Sequence, residues 1–142
     1  MPPPSTDLAE TTERLVEQAF SCVQRPAPEG SVRLVMAGEL DLLTADGARE
    51  AVRGAQDEAG AVLCDLADVW FVDLSGLSVL LDAARHARLT GGRLTLTNCP
   101  PIVPRMLRLL GLEDALEIQA AQPSAASSPG CAVIRPHVGR RG

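Results

Sequence analysis

Short apolar runs alternate with segments of helical periodicity along this chain, and this alternation constrains its fold more than any other feature. Residues 61–66 form a nearly continuous apolar run, which predicts a strand in the middle of a sheet. The apolar side chains that follow recur at the spacing of an amphipathic helix: Leu77, Leu80, Leu81 and Ala84. Gly91 and Gly92 end that helix, and residues 93–97 alternate polar and apolar as a half-covered strand does. The order strand, helix, strand predicts a βαβ unit.

The flanking segments extend this pattern. Residues 19–23 and 32–37 predict two strands joined through a turn-rich segment as a hairpin. A helix is expected over 45–59 with Thr44 as its N-cap, and another is opened by Pro101 and Pro104 and closed by Gly111, before a short edge element at 116–118. The sequence therefore predicts an α/β domain with a four- to five-stranded mixed sheet and helices packed mainly on one face.

The length and composition fit one domain with two flanking segments. With 142 residues, one domain is the expected number, and its bounds are predicted at 19–118. Residues 1–18 are predicted to be an N-terminal extension. Residues 119–142, where Ala, Ser, Pro and Gly dominate, are predicted to be a disordered tail.

The charge and hydropathy patterns exclude several kinds of partner. The net charge of -5 argues against a nucleic-acid surface or an anionic membrane surface, and favours protein partners. No apolar stretch approaches the roughly 20 residues of a membrane-spanning helix, and residues 1–6 do not resemble the start of a secretory signal. A cytoplasmic protein without membrane contact is expected.

The residue types that are missing also exclude several enzyme chemistries. All 13 basic residues are Arg, so the chain has neither the Lys of a phosphate-binding P-loop nor an amine for Schiff-base chemistry. No metal knuckle or redox pair is indicated, because the cysteines are spread along the chain and are expected to be reduced thiols: Cys22, Cys64, Cys99 and Cys131. His86 and His137 follow no nucleophile signature. We expect no catalytic residue, metal or cofactor.

Ser75 is the candidate functional residue. It lies after the hydrophobic segment 69–72 and at the amino end of the predicted helix, where unpaired N–H groups and the helix dipole favour a negative group such as a phosphate. Ser75 as a plain N-cap is the alternative. Asp73 is expected to cap and orient the Ser75 loop, Asp41 is expected to be a turn or cap residue, and Gly76 is expected to let a partner backbone approach Ser75 closely.

Three motifs in order carry a family resemblance. Residues 38–41 read Gly-Glu-Leu-Asp, residues 73–77 read Asp-Leu-Ser-Gly-Leu, and residues 109–112 read Leu-Leu-Gly-Leu. Together they resemble the STAS domain family over residues 19–118, and within it the bacterial anti-sigma factor antagonists. The family typically has Asp-Ser-Ser-Gly at its phosphorylation site, where the second serine accepts the phosphate. This chain keeps that acceptor as Ser75 and has Leu74 in the first serine position.

The resemblance implies a partner-switching function. The unphosphorylated protein would bind an anti-sigma factor that is also a serine kinase, would be released when phosphorylated on Ser75, and would be reset by a phosphoserine phosphatase. It would be a substrate and not an enzyme. The implied partner-binding residues are Asp41, Asp73, Leu74, Ser75 and Gly76. The first alternative is a non-phosphorylated STAS scaffold subunit of a transporter or stress-signalling complex. The second is a catalytic or nucleotide-binding protein, against which the missing Lys and phosphate loop argue.

Overall fold

The computed structural model describes residues 20–120, which contain five strands and three α-helices. Their order is β1 (Phe20–Pro26), β2 (Val32–Leu40), α1 (Ala45–Glu58), β3 (Ala61–Val72), α2 (Leu74–Thr90), β4 (Arg93–Thr97), α3 (Ile102–Leu110) and β5 (Glu117–Ile118). A short 3-10 turn at Pro28–Gly30 joins β1 to β2. Each predicted element is present, and the first three strands extend further than expected.

The sheet has the strand order β1-β2-β3-β4-β5, with β1 antiparallel to β2 and all other neighbours parallel. β3 is the central strand, as its apolar run predicts. Because each crossover leads to the next strand in the same direction and such crossovers are right-handed, the three helices lie on one face of the sheet. The α/β class, the mixed sheet and the one-sided placement of the helices are thus confirmed.

The core lies between this helical layer and the sheet. Strand residues Leu34, Cys64 and Leu96 are fully buried and lie in register with one another across β2, β3 and β4, and Met36 of β2 is fully buried as well. The helices contribute small and large apolar side chains to the same cluster: Ala48, Val52, Leu77, Leu80, Ala84, Val103 and Leu107. Among residues 20–120, no helix has the length and hydropathy needed to cross a membrane.

The chain ends were predicted to be an extension over 1–18 and a disordered tail over 119–142. Residues 1–19 and 121–142 lie outside the described part of the chain, so both predictions fall almost wholly outside it. Gln119 is the exception, because its backbone N–H donates to the Leu96 carbonyl at 2.8 Å and so continues the pairing of β5 with β4. The backbone pairing with β4 therefore continues to residue 119.

A buried carboxylate fixes the course of β3. The Asp65 side chain is fully buried, and its Oδ2 accepts hydrogen bonds from Arg33 Nε at 3.1 Å and Nη2 at 2.7 Å. Its Oδ1 accepts from Asn98 Nδ2 and from the Ala67 backbone N–H, both at 3.0 Å. Asp65 thus ties β2 and the end of β4 to β3 just before the pairing of β2 with β3 shifts register. Beyond this irregularity β3 continues to Val72, which brings the chain to Ser75.

Candidate functional site

Ser75 lies at the edge of the sheet where the parallel strands β2 and β3 end side by side. Leu40, the last residue of β2, is in register with Val72, the last residue of β3. The Asp73 backbone N–H then donates to the Leu40 carbonyl at 3.2 Å, so the loop after β2 lies beside the start of α2. The fold brings the motifs at 38–41 and 73–77 together.

Asp73 is the N-cap of α2. Its Oδ1 accepts a hydrogen bond from the Gly76 backbone N–H at 3.0 Å, and its carbonyl accepts from the Leu77 N–H at 2.9 Å. The bond from the Asp73 side chain satisfies an N–H group that has no partner within the helix itself, and the bond to the Asp73 carbonyl is the first backbone bond of the helix. The capping role expected of Asp73 is confirmed.

Ser75 is therefore the second residue of the helix and not its cap, so the alternative interpretation of Ser75 as a plain N-cap is wrong. The side chain is half-buried, and its hydroxyl makes no hydrogen bond within residues 20–120. Ser78, one turn further on, instead donates its hydroxyl hydrogen to the Leu74 carbonyl at 3.0 Å. The Ser75 hydroxyl thus has no structural role that a phosphate would displace.

Gly76 has a packing role that no other residue type can fill. It is buried, and a β-carbon at this position would lie 2.1 Å from the Leu40 carbonyl oxygen and 2.7 Å from its carbonyl carbon. The backbone that approaches Gly76 closely is thus that of Leu40 in the same chain, and the expected approach of a partner backbone to Ser75 remains a prediction. This contact holds the start of α2 directly against the end of β2.

Asp41 organises the loop between β2 and α1. Its Oδ1 accepts hydrogen bonds from the Leu43 N–H at 3.0 Å and the Thr44 N–H at 3.2 Å, the pattern of an Asx turn. Thr44 occupies the N-cap position of α1, as expected, but its hydroxyl does not cap the helix. It donates to the Glu39 carbonyl at 2.8 Å and accepts from the Asp41 N–H at 3.0 Å. The turn interpretation of Asp41 is correct, and a partner contact by Asp41 remains a prediction.

Large apolar side chains lie around the site, and most of them were not expected there from the sequence. Leu42 and Leu43 are each 74% exposed in the β2–α1 loop, and Trp70 is 66% exposed near the end of β3. Phe71, whose ring centroid lies 6.5 Å from that of Trp70, and Leu74 are also exposed. We call these five residues the apolar rim: Leu42, Leu43, Trp70, Phe71 and Leu74. Leu42 and Leu43 lie in a turn, where polar residues are more common, but the sequence analysis drew no surface from them.

The other reactive side chains lie elsewhere or are inert. Burial raises the pKa of the Cys22 and Cys99 thiols to about 12, and burial raises that of Cys64 as well. These three thiols are therefore protonated at neutral pH and are poor nucleophiles. Cys131 and His137 lie outside the described residues, while His86 lies on α2 about three turns from Ser75. Within residues 20–120, no cluster of three His, Cys, Asp or Glu side chains has a metal-binding arrangement.

Comparison with known proteins identifies the family. The family model described as "STAS domain" matches residues 23–125, which is most of the chain. The chain belongs to the STAS domain family. An anti-sigma-B factor antagonist of Listeria monocytogenes is 33% identical to this STAS protein over 89 residues, which cover 62% of this chain and 78% of that one.

Solved structures show the same fold at low sequence identity. SpoIIAA of Bacillus, solved in its phosphorylated and unphosphorylated forms, is 20% identical, with TM-scores of 0.57 and 0.58. These matches cover 82% of this chain and 99% and 96% of the two SpoIIAA chains. Murine Slc26a9, an anion transporter, is 14% identical with a TM-score of 0.60, and the match covers 83% of this chain and 24% of the transporter. The STAS fold therefore occurs in proteins of different function, so the fold alone does not decide between them.

Proposed function

We propose that this STAS protein is an anti-sigma factor antagonist that works by partner switching. In its unphosphorylated state it binds an anti-sigma factor that is also a serine kinase, and phosphorylation of Ser75 releases it. A phosphoserine phosphatase resets the cycle. The proposal makes the protein a regulatory binding protein and a kinase substrate, not an enzyme, and places it in the cytoplasm. The relative in Listeria monocytogenes, named an anti-sigma-B factor antagonist, supports this assignment.

The observation that carries the proposal is the position of Ser75. Its hydroxyl lies in the first turn of α2 without a hydrogen-bond partner in residues 20–120, because Asp73 performs the capping. A phosphate here adds about -1.5 to -2 charges at pH 7 close to the positive end of a helix dipole. The dipole favours each exposed charge by roughly 0.3–1 kcal/mol, so we expect the fold to tolerate the modification.

The same charge has a much larger effect in an interface. Burying an unpaired charge, or placing it beside a carboxylate, costs on the order of 2–5 kcal/mol. This corresponds to a loss of affinity between about 30-fold and several thousandfold. The switch would therefore act at the contact with the partner and not by refolding the STAS domain.

The test is to incubate the protein with each ATPase-type anti-sigma factor of its source organism and ATP, and to locate phosphate by mass spectrometry. Ser75→Ala should abolish phosphorylation, while Ser78→Ala, one turn away on the same helix, should retain it. A folded Ser75→Glu variant should bind the kinase at least 30-fold more weakly than the parent. Phosphate at another residue, or none with any kinase, would overturn the proposal and would favour a non-phosphorylated scaffold role.

A further inference from the structure

The apolar rim has no evident role in holding the domain together. Leu42, Leu43 and Trp70 each expose about two thirds or more of their surface, and Leu74 exposes 58%. Side chains this exposed contribute little to the core, and turn positions such as 42 and 43 are more often polar. A cluster of exposed large apolar side chains on one edge marks a surface for interaction.

The charge around the rim indicates what kind of surface it meets. The charged residues interleaved with it are carboxylates, Glu39, Asp41 and Asp73, and no arginine occurs between residues 34 and 48 or between 54 and 84. Exposed Trp and Leu side chains also occur in membrane anchors, but those place basic residues beside the apolar ones to meet anionic lipid. The acidic surroundings of the rim thus favour a protein groove over a membrane surface.

Leu74 occupies a special position within the rim. It is the first residue of α2 and directly precedes the proposed phosphoacceptor, so any partner that reaches the Ser75 hydroxyl also meets the Leu74 side chain. The Asp73 carboxylate accepts the Gly76 N–H, and Gly76 packs against the Leu40 carbonyl. Leu74 is therefore the exposed apolar side chain of this turn. The STAS proteins that this chain resembles typically have a serine there.

We infer that the apolar rim docks into an apolar groove of the anti-sigma factor, and that Leu74 determines which anti-sigma factor is recognised. This inference rests on the proposed function and adds the chemistry of the partner to it. A phosphate on Ser75 would then be desolvated among apolar groups, and release would follow.

The experiment measures binding of the full chain to the purified ATPase-type anti-sigma factors of the source organism by calorimetry. Leu74→Ser and Leu43→Ala should each weaken binding to the cognate factor about 10-fold or more, as truncation of an apolar anchor does. The matched control is Leu89→Ala, because Leu89 is 75% exposed but lies near the other end of α2, about 22 Å away. It should change the affinity less than twofold.

A second readout separates docking from phosphorylation. Leu74→Ser should still be phosphorylated on Ser75, but it should need about 10-fold more kinase to reach its half-maximal rate, in parallel with its weaker binding. If Ser75 is phosphorylated but the rim variants bind as tightly as the parent, this inference is wrong and the proposed function stands. If no factor binds or phosphorylates the parent, both are wrong. Self-association of the free chain that Leu43→Ala abolishes would assign the rim to a second copy and would also overturn the inference.

Discussion

Replacing Gly76 by alanine tests whether the contact between Leu40 and the start of α2 determines the geometry of the site. An added β-carbon would lie 2.1 Å from the Leu40 carbonyl oxygen and 2.8 Å from Leu40 Cγ. Ordinary contact between these atom types needs more than 3 Å, so the backbones of β2 and α2 must separate by about 1 Å. Leu40 is fully buried, so neither backbone can move without disturbing the core.

The cost follows from two terms. Overpacking of this kind costs about 1–3 kcal/mol. Separating the two backbones also weakens the hydrogen bond from the Asp73 N–H to the Leu40 carbonyl, which contributes about 0.5–1.5 kcal/mol. We therefore expect Gly76→Ala to lower the free energy of unfolding by about 2–4 kcal/mol, and the Tm by roughly 10–25 °C for a domain of this size.

The assay is guanidinium unfolding followed by circular dichroism and by the fluorescence of Trp70, the single tryptophan of the chain. The control is Gly54→Ala in α1, where a β-carbon would meet nothing within 4 Å. That change should raise the free energy of unfolding by up to about 1 kcal/mol, because alanine is the better helix former. If Gly76→Ala unfolds at the same denaturant concentration as the parent, the reasoning about Leu40 is refuted.

Three further changes test the rest of the structure. Asp65→Ala should lower the free energy of unfolding by about 3–5 kcal/mol because it removes a fully buried carboxylate that accepts hydrogen bonds from Arg33 and Asn98, whereas Glu117→Gln in an exposed pair should leave the unfolding midpoint unchanged; equal effects of the two would contradict the assignment. Asp73→Ala should cost about 0.5–2 kcal/mol through loss of the cap, with most of it recovered in Asp73→Asn, as chemical denaturation would show. Burial raises the pKa of the Cys22 and Cys99 thiols to about 12 in the folded state, so above pH 9 the folded state keeps protons that the unfolded state releases. The free energy of unfolding should therefore fall by about 1.4 kcal/mol for each thiol and each pH unit above pH 9. The chain has no Lys or Tyr to obscure this slope, Cys22→Ala should remove that thiol's share of about 1.4 kcal/mol per pH unit, and constant stability from pH 8 to 11 would rule the effect out.

The sequence predicts the order of elements well because periodicity and helix breakers are local signals. The strand at 61–66 and the helix after Ser75 are found where the apolar spacing places them. The continuation of β3 to Val72 was not predicted, since Asp68 interrupts the apolar run where the pairing with β2 shifts register. Register shifts of this kind depend on a neighbouring strand, which the local pattern does not contain.

The parts of the site that escaped prediction all depend on contacts between distant residues. Asp65 is an acid within an apolar run, and its role becomes visible only when Arg33 and Asn98, 32 and 33 residues away, are seen to bind it. The exposure of Leu42 and Trp70 could not be predicted from the sequence either, because an apolar residue near a turn has the same sequence pattern whether it is buried or exposed. Local sequence patterns were therefore enough to locate Ser75, whereas the residues around it could be identified only from the folded structure.

Leu40 joins the motifs at 38–41 and 73–77 into one site. Its carbonyl accepts the Asp73 N–H and leaves no room for a side chain at Gly76, so the turn that holds Ser75 is fixed against the end of β2. Asp41 follows Leu40 directly, and its own hydrogen bonds fix the loop that carries Leu42 and Leu43. A phosphate on Ser75 would thus be added to a rigid surface with apolar groups and carboxylates around it. No arginine occurs at positions 34–48 or 54–84 to neutralise the phosphate. We therefore expect the added charge to act on the partner that binds this surface.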